Sequence, residues 1–434
     1  MKTVIPCLSL FFILIFSTLS PAAEIYTLED LYRIALKRSE KVMISEQRLY
    51  MAERQKDKAI SVLLPWLSSF GEYKKYNEEK TRDSTFIIQP SSASSWGLKL
   101  ERSFSLGGKE FYALRMAQEN TVKARFDLTT EKESLLFNVA SAYYELLRAK
   151  EAVEIAKANV ERLKKHRDAA EARLKVGEVT KTALLRAEAE LSSARSEFVR
   201  ASNNLKLAKA ILSRVVGIEG DYDVAESKPD IEEQPEMPDV SHYKEIAFSK
   251  RPELKSAELQ KVISEHRVKY TEGSYFPNLK LEADYVRNET DPSTFSLIKE
   301  QIYGIVRIEF PIFEGGLRRA ELRESIAQKK EAELFYEDLK KNVGIEVEES
   351  YLEVITLRET IKFLEDEVKF AKENYRAVSK QFEFGLADSV DVMDANTLLL
   401  TAEKNLSNAK YNYQLSLLRL RRATGTLLEM ARVE

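Results

Sequence analysis

The chain has 434 residues, 44% of them hydrophobic and 32% charged, enough to bury a large core spread over two or three units. Its formal net charge of −3 excludes the strong basic excess that usually marks a nucleic-acid binder. Cys7 is the only cysteine, so the rest of the chain holds no disulfide and no thiolate metal site.

The first element is read as a secretory signal over residues 1–22. Lys2 is the charged start, Val4–Leu19 is mostly apolar, and Ser20, Ala22 and Ala23 offer small residues for cleavage. A retained anchor is the alternative, but the apolar run is short for a spanning helix. No later stretch approaches ~18 apolar residues, so any membrane span beyond it must be a β-barrel.

From residue 23 onward the chain is a tandem repeat. A shift of 208 brings Gly107-Gly108 onto Gly315-Gly316, Gly177 onto Gly385 and Gly217 onto Gly425. Nearer the front the shift is 212, bringing Ile34-Ala35 onto Ile246-Ala247 and Pro65 onto Pro277. The first repeat is assigned to 23–217 and the second to 241–426. Between them lies an acidic linker, 218–240, which carries Pro229, Pro235 and Pro238 and reads as irregular. Residues 427–434 are left as a short tail.

Each repeat opens with a helix, about 28–60 and about 241–272. Two strands follow, near 66–76 and 95–104 in the first repeat. In the second repeat, Leu279, Leu281, Ala283 and Tyr285 alternate with more polar neighbours, and Ile302, Gly304, Val306, Ile308 and Phe310 do the same. One apolar and one polar face over about ten residues is the pattern of a membrane β-strand. Four strands cannot close a barrel, for which about eight is the minimum. Two copies would give eight strands and three copies twelve. Trp66, Phe70, Tyr73, Trp96, Tyr275, Phe276 and Tyr303 suit interfacial girdles, or serve as ordinary packing aromatics.

Next comes a stretch of 68 residues from Gly108 to Gly177 with neither glycine nor proline, matched by Gly316 to Gly385 with only Gly344 inside. At about 1.5 Å per residue such a helix is roughly 100 Å long. A return helix of up to 39 residues follows each, ending at Gly217 and Gly425. Leu184, Ala187, Leu191, Ala194 and Phe198 continue a 3-4 spacing that Val392, Ala395, Leu399, Ala402 and Leu406 repeat. That is a coiled-coil seam, so each repeat ends in a long helical hairpin. The fold class is therefore mostly α with a small β part. It consists of tandem helical hairpins plus four strands per chain, which three copies, or two, would close into a barrel.

Three motifs carry a family resemblance. They are Phe276-Pro277-Asn278-Leu279, then Pro311-Ile312-Phe313-Glu314-Gly315-Gly316, then Phe382-Glu383-Phe384-Gly385 with Val390-Asp391-Val392-Met393-Asp394-Ala395. In this order, within the repeat, they resemble the TolC family of outer-membrane efflux and export proteins over nearly all of the chain. The resemblance implies a homotrimer, with a twelve-stranded trimeric β-barrel set in outer-membrane lipid and the helical hairpins forming an α-barrel tunnel through the periplasm. It implies a periplasmic adaptor (membrane fusion) protein and an inner-membrane pump of RND, ABC or MFS type as partners. The cell outer membrane of a Gram-negative bacterium would be its place.

By similarity, the docking tips are Val176, Gly177 and Val179 on the first hairpin and Phe384, Gly385 and Leu386 on the second. Asp391 and Asp394 match carboxylates that ring the tunnel entrance, where crowding would attract cations. The plain alternative is that they are first-turn acids favoured by the helix dipole. The tyrosine and arginine that latch the closed tip in relatives align with Phe382 and Ala387, and their aspartate partner with Ala183. Arg186 stands at the first-hairpin counterpart of Asp394. Arg186 and Phe382 are thus candidate gate contacts, with Arg186 pairing with Asp391 or Asp394.

No catalytic constellation is found. His166, His242 and His266 are scattered, and His166, in the charged stretch Lys164–Asp168, is expected to be solvated. The glycine pairs lack the lysine of a phosphate loop. No cofactor, metal or nucleic acid is expected, and the chain is read as a passive conduit, not an enzyme. The competing reading is a periplasmic coiled-coil adaptor or scaffold, which the paired amphipathic strands argue against.

Overall fold

The computed structural model describes residues 24–82, 86–225, 237–294 and 297–431. The expected secretory signal therefore lies outside the described residues. Strand β1 (Glu24–Tyr26) leads into helices α1 (Leu28–Arg38) and α2 (Glu40–Ser61). Strand β2 (Trp66–Lys75), a small hairpin of β3 (Lys80–Arg82) and β4 (Phe86–Gln89), and strand β5 (Ser92–Ser105) follow. Helices α3 (Lys109–Lys175) and α4 (Lys181–Val216) close the first repeat, and β6 (Tyr222–Val224) begins the connection. The second repeat comprises α5 (Val240–Lys250), α6 (Pro252–Glu272), β7 (Asn278–Asp291), β8 (Glu300–Glu309), α7 (Leu317–Glu383) and α8 (Ser389–Ala423), with α9 (Leu427–Met430) at its end.

The opening helix expected in each repeat is in fact two. Ser39 and Arg251, equivalent positions in the repeat, both leave the helical region at ψ 119° and 121°. Pro252 accounts for the second break, because a residue before proline is pushed out of the α region. The long helices come out as expected, at 67 residues each. The short helices fill the rest of their length: α2 and α4 both lie along α3, α6 lies between α3 and α7, and α8 packs on both α3 and α7. The upper wall thus runs α2, α3, α6, α7 and the lower wall α4, α3, α8, α7.

The sheet order is β2-β5-β7-β8, antiparallel throughout. Its centre, β5 against β7, joins the two repeats, with Leu98 opposite Tyr285 and Leu100 opposite Ala283. Because paired residues share a face, one face carries Trp96, Leu98, Leu100, Leu281, Ala283, Tyr285, Ile302, Val306 and Ile308. The other carries Lys99, Glu101, Lys280 and Glu282, a charged network with contacts of 2.5–3.7 Å. The register corrects the aromatic girdle. Trp66, Phe70 and Tyr303 pair with Glu101, Gly97 and Asp284 on the polar face, whereas Trp96 and Tyr73 lie on the apolar one.

The largest core joins α1, α3, the end of α4, β6 and α9, with Leu31, Leu136, Val139, Tyr143, Leu212 and Leu427 buried. Each such aliphatic side chain contributes roughly 1.5–3 kcal/mol on leaving water. This core overturns two expectations. The linker is not irregular at its start: β6 pairs in parallel with β1, and Tyr143 donates to the Ala225 carbonyl at 2.7 Å. Nor is 427–434 a loose tail at its start, since Leu427 is fully buried against the first repeat. A second cluster, including Val343, Val347, Ile361 and Tyr413, holds α5, α7 and α8.

Candidate functional site

The two hairpin turns lie at the end of the helical body opposite the sheet, and a third core cluster stands behind them. Leu163, Ala170, Ala187 and Leu191 of the first hairpin pack there with Phe382, Val392 and Met393 of the second.

The turns are built alike. Gly177 donates to the Leu174 carbonyl and Glu178 to that of Arg173 (3.0 and 2.9 Å), and Gly385 and Leu386 repeat the pattern on Phe382 and Gln381 (3.0 and 2.8 Å). Both glycines take a left-handed conformation, φ +80° and +77°, which side chains rarely adopt. The sequence-expected tip residues then divide. Val176, Phe384 and Leu386 are exposed by 70–79%, but Val179 turns inward against the third core cluster.

Asp388 caps α8, accepting from the amides of Val390 and Asp391 at 2.6 and 3.0 Å. The Asp391 carboxylate accepts the Asp388 amide in return at 2.9 Å, completing a capping box. Asp391 therefore has a structural task as well as an exposed position, while Asp394, one turn on, is exposed without it. Arg186 is exposed on α4, and among the described residues no ion pair joins it to either aspartate within one protomer. The structure thus does not bring the Arg186 pairing together inside a single chain.

Phe382 is buried, and what surrounds it was not anticipated. The Arg173 guanidinium lies over its ring, 4.8 Å from the centroid, and donates to its carbonyl oxygen at 2.5 Å. The same guanidinium donates to Glu178 at 3.0 Å, so Arg173 ties its own turn to the second hairpin. His166 also packs on Phe382, 4.7 Å between ring centres, and lies 2.9 Å from the Ser389 hydroxyl. The expectation of a solvated His166 is wrong: the side chain is 6% exposed, and burial pushes its pKa down to about 4. Further up, Asn159 and Asn396 meet at 2.9 Å, and Arg162 holds Glu403 by two bonds of 3.2 and 3.0 Å.

These contacts define a polar seam. Asn159, Arg162, His166, Ala169 and Arg173 follow a 3-4 spacing one position ahead of the apolar series Val160, Leu163 and Ala170 that faces α4. On α8, Ser389, Asn396 and Glu403 recur every seven residues. Each hairpin is packed internally by apolar contacts and joined to the other by this polar seam beside the third apolar cluster. A second, polar 3-4 series beside the apolar one was the signal in the sequence that could have found it.

A cavity of about 480 Å³ opens over this seam between α3 and α7, with Leu399, Phe382 and Glu403 among its lining residues. No group of three metal-ligating side chains occurs among the described residues, nor any helix long and apolar enough to cross a membrane.

The described family of outer membrane efflux proteins matches this chain over residues 31–218 and 245–426. The chain resembles the outer membrane protein TolC of Vibrio cholerae, with 24% identity over 99% of this chain and 97% of that one. Against TolC of Escherichia coli K12 the identity is again 24%, over 86% and 77% of the two chains. Among solved structures, the outer membrane protein VceC of Vibrio cholerae superposes with a TM-score of 0.80 at 20% identity, over 92% and 96% of the chains. The channel CusC gives 0.82 at 18% identity, over 92% of each. On the extent of the family match, the chain belongs to the outer membrane efflux protein family.

Proposed function

We propose that three copies of this chain assemble into a passive duct through the outer membrane, which receives cargo from a periplasmic adaptor and an inner-membrane pump. The observation that carries this reading is the open sheet. Its four strands leave β2 and β8 as unpaired edges, while its apolar face exposes Ile302, Val306 and Ile308 by 65–83%. A bare apolar face is costly in water and at home in lipid, and in lipid a row of unpaired backbone groups is costly unless the edges close. Three sheets give twelve strands, and the polar network of Lys99, Glu101, Lys280 and Glu282 would line the lumen.

Below the barrel, the same threefold symmetry sets six long helices in the tunnel wall. The tips bearing Val176, Phe384 and Leu386 are an apolar surface at the far end, suited to an adaptor. Three copies of Asp391 and Asp394 would gather carboxylates at the entrance and draw cations to it. Arg186, on the exposed flank of α4, would meet such carboxylates only from a neighbouring protomer. Relatives named for alkaline protease secretion and for pyoverdine export fit either a secretion or a small-molecule efflux assembly. An adaptor or scaffold is not favoured, because such a protein has no use for a sheet with one bare apolar face.

Reconstitution into planar bilayers tests the reading. Purified protein should conduct ions, with preference for cations, and replacing both aspartates by asparagine should reduce that preference. Protein that folds but inserts no conductance would contradict it.

A further inference from the structure

The two hairpin tips share an apolar cluster, and specific polar contacts cross between them beside it. Phe382, at the end of α7, is held by two side chains of the first hairpin: Arg173 binds its carbonyl oxygen and covers its ring, and His166 packs on the ring while bonding Ser389 of α8. Ser389 is 5% exposed and is the first residue of α8, whose N-terminus is already capped by the carboxylates of Asp388 and Asp391.

We propose that Arg173 and His166 form an acid-releasable clasp that holds the two hairpin tips of each protomer together, with His166 as the proton-sensitive element and Arg173 as the positioning residue. The clasp rests on the proposed duct, whose tip it describes, and supplies a device where the aligned latch positions Ala183 and Ala387 carry none.

The surroundings decide the sign. Lining the cavity beside His166 are Arg162 and Lys165 from its own helix and Lys372, Arg376 and Lys380 from α7. The carboxylates there are Glu373 and Glu383 of α7 and Glu403 of α8. Glu403 is taken by Arg162, and among the described residues no carboxylate stands within ion-pair distance of His166. Tyr375 of α7 lines the same cavity, and Asp388 and Asp391 at the start of α8 are engaged with that helix's amides, so a proton on His166 meets burial with no ion-pair partner. The packed state favours neutral histidine, so the clasp is fully formed above the ordinary histidine value of about 6.5 and loses strength as pH falls toward 4. Between pH 8 and 5 the closed-to-open ratio falls by about 30-fold per protomer, most of it below pH 6.5.

Tip separation reads this directly. With Cys7, the only cysteine of the sequence, replaced by serine, spin labels at Val176→Cys and Phe384→Cys report the distance between the turns. Both sites are exposed, and neither belongs to the clasp. The trimer in detergent should show one short distance at pH 8 and a longer, broader distribution at pH 5. His166→Gln, which stays neutral and keeps a donor for Ser389, should hold the short distance at both. Arg173→Met should give the long distribution already at pH 8, and Arg173→Lys should partly restore the short one. A wild-type distance unchanged between pH 8 and 5, or an acid response in His166→Gln equal to that of wild type, would overturn the clasp. The measurement needs no conduction: a responsive tip in a protein that conducts nothing ends the duct reading alone, and a conducting protein with an inert tip ends the clasp alone.

Discussion

Asn159 of α3 and Asn396 of α8 meet side chain to side chain at 2.9 Å in the buried seam between the two hairpins. Asn396 donates to the Asn159 side-chain oxygen, its own oxygen accepts from Arg162 at 3.1 Å, and both amides are about 5% exposed. A buried amide left without its partner costs about 1–3 kcal/mol, whereas losing both amides together costs much less. Asn159→Ala and Asn396→Ala should each lower the thermal midpoint, and the double variant should lose clearly less than the sum. Strict additivity would mean the pair is not coupled.

The tip should separate stability from function. Phe384 and Leu386 are each 79% exposed, so Phe384→Ser and Leu386→Ser should leave stability within about 0.5 kcal/mol. Export in cells lacking the wild-type protein should nonetheless fall. Leu136→Ala, in the first core, should do the opposite, costing about 2–5 kcal/mol through a cavity. Helical circular dichroism on heating and a cell-based export assay measure the two effects.

Asp391 and Asp394 differ in a way that substitutions can expose. Asp391→Ala removes the acceptor for the Asp388 amide and should cost roughly 0.5–2 kcal/mol, as loss of a cap does. Asp394→Ala breaks no hydrogen bond seen among the described residues, so its stability should be unchanged. If both variants weaken cation preference in bilayers but only the first loses stability, the cap and the entrance are separate roles.

Glu133 gives a pH dependence of opposite sign to that of His166. It is 3% exposed beside the Leu428 amide, and burial first, then the nearby Glu253, pushes its pKa up to about 7. A carboxyl whose folded pKa is raised stabilises below its unfolded value of about 4.5, and that contribution is lost as pH rises to 7. Glu133→Gln should therefore stabilise the protein at pH 8 by on the order of 2–3 kcal/mol and by nothing at pH 4. Thermal midpoints across that range check it.

Much of the architecture could be read from spacing alone. The long helices were legible because Gly108, Gly177, Gly316 and Gly385 punctuate runs without proline, and the strands because a period of two is hard to mistake for 3.6. The break at Ser39 was not legible, because neither glycine nor proline marks it, although Pro252 marked its counterpart. The three-residue pair of β1 and β6 is too short to show a period, and its stability comes from Tyr143 and the core beneath it. At the tip, Gly177 and Gly385 form the turns and Val176, Phe384 and Leu386 are exposed, whereas Val179 and His166 turn inward. Charged neighbours suggested solvent for His166, but its place on the polar 3-4 series turns it into the seam.

The claim that most needs a direct measurement is the copy number, because two copies of a four-stranded sheet would also close a barrel. Native mass spectrometry of the species extracted from outer membranes in detergent counts the chains. The account predicts three chains and twelve strands; a stable species of one or two chains would contradict it.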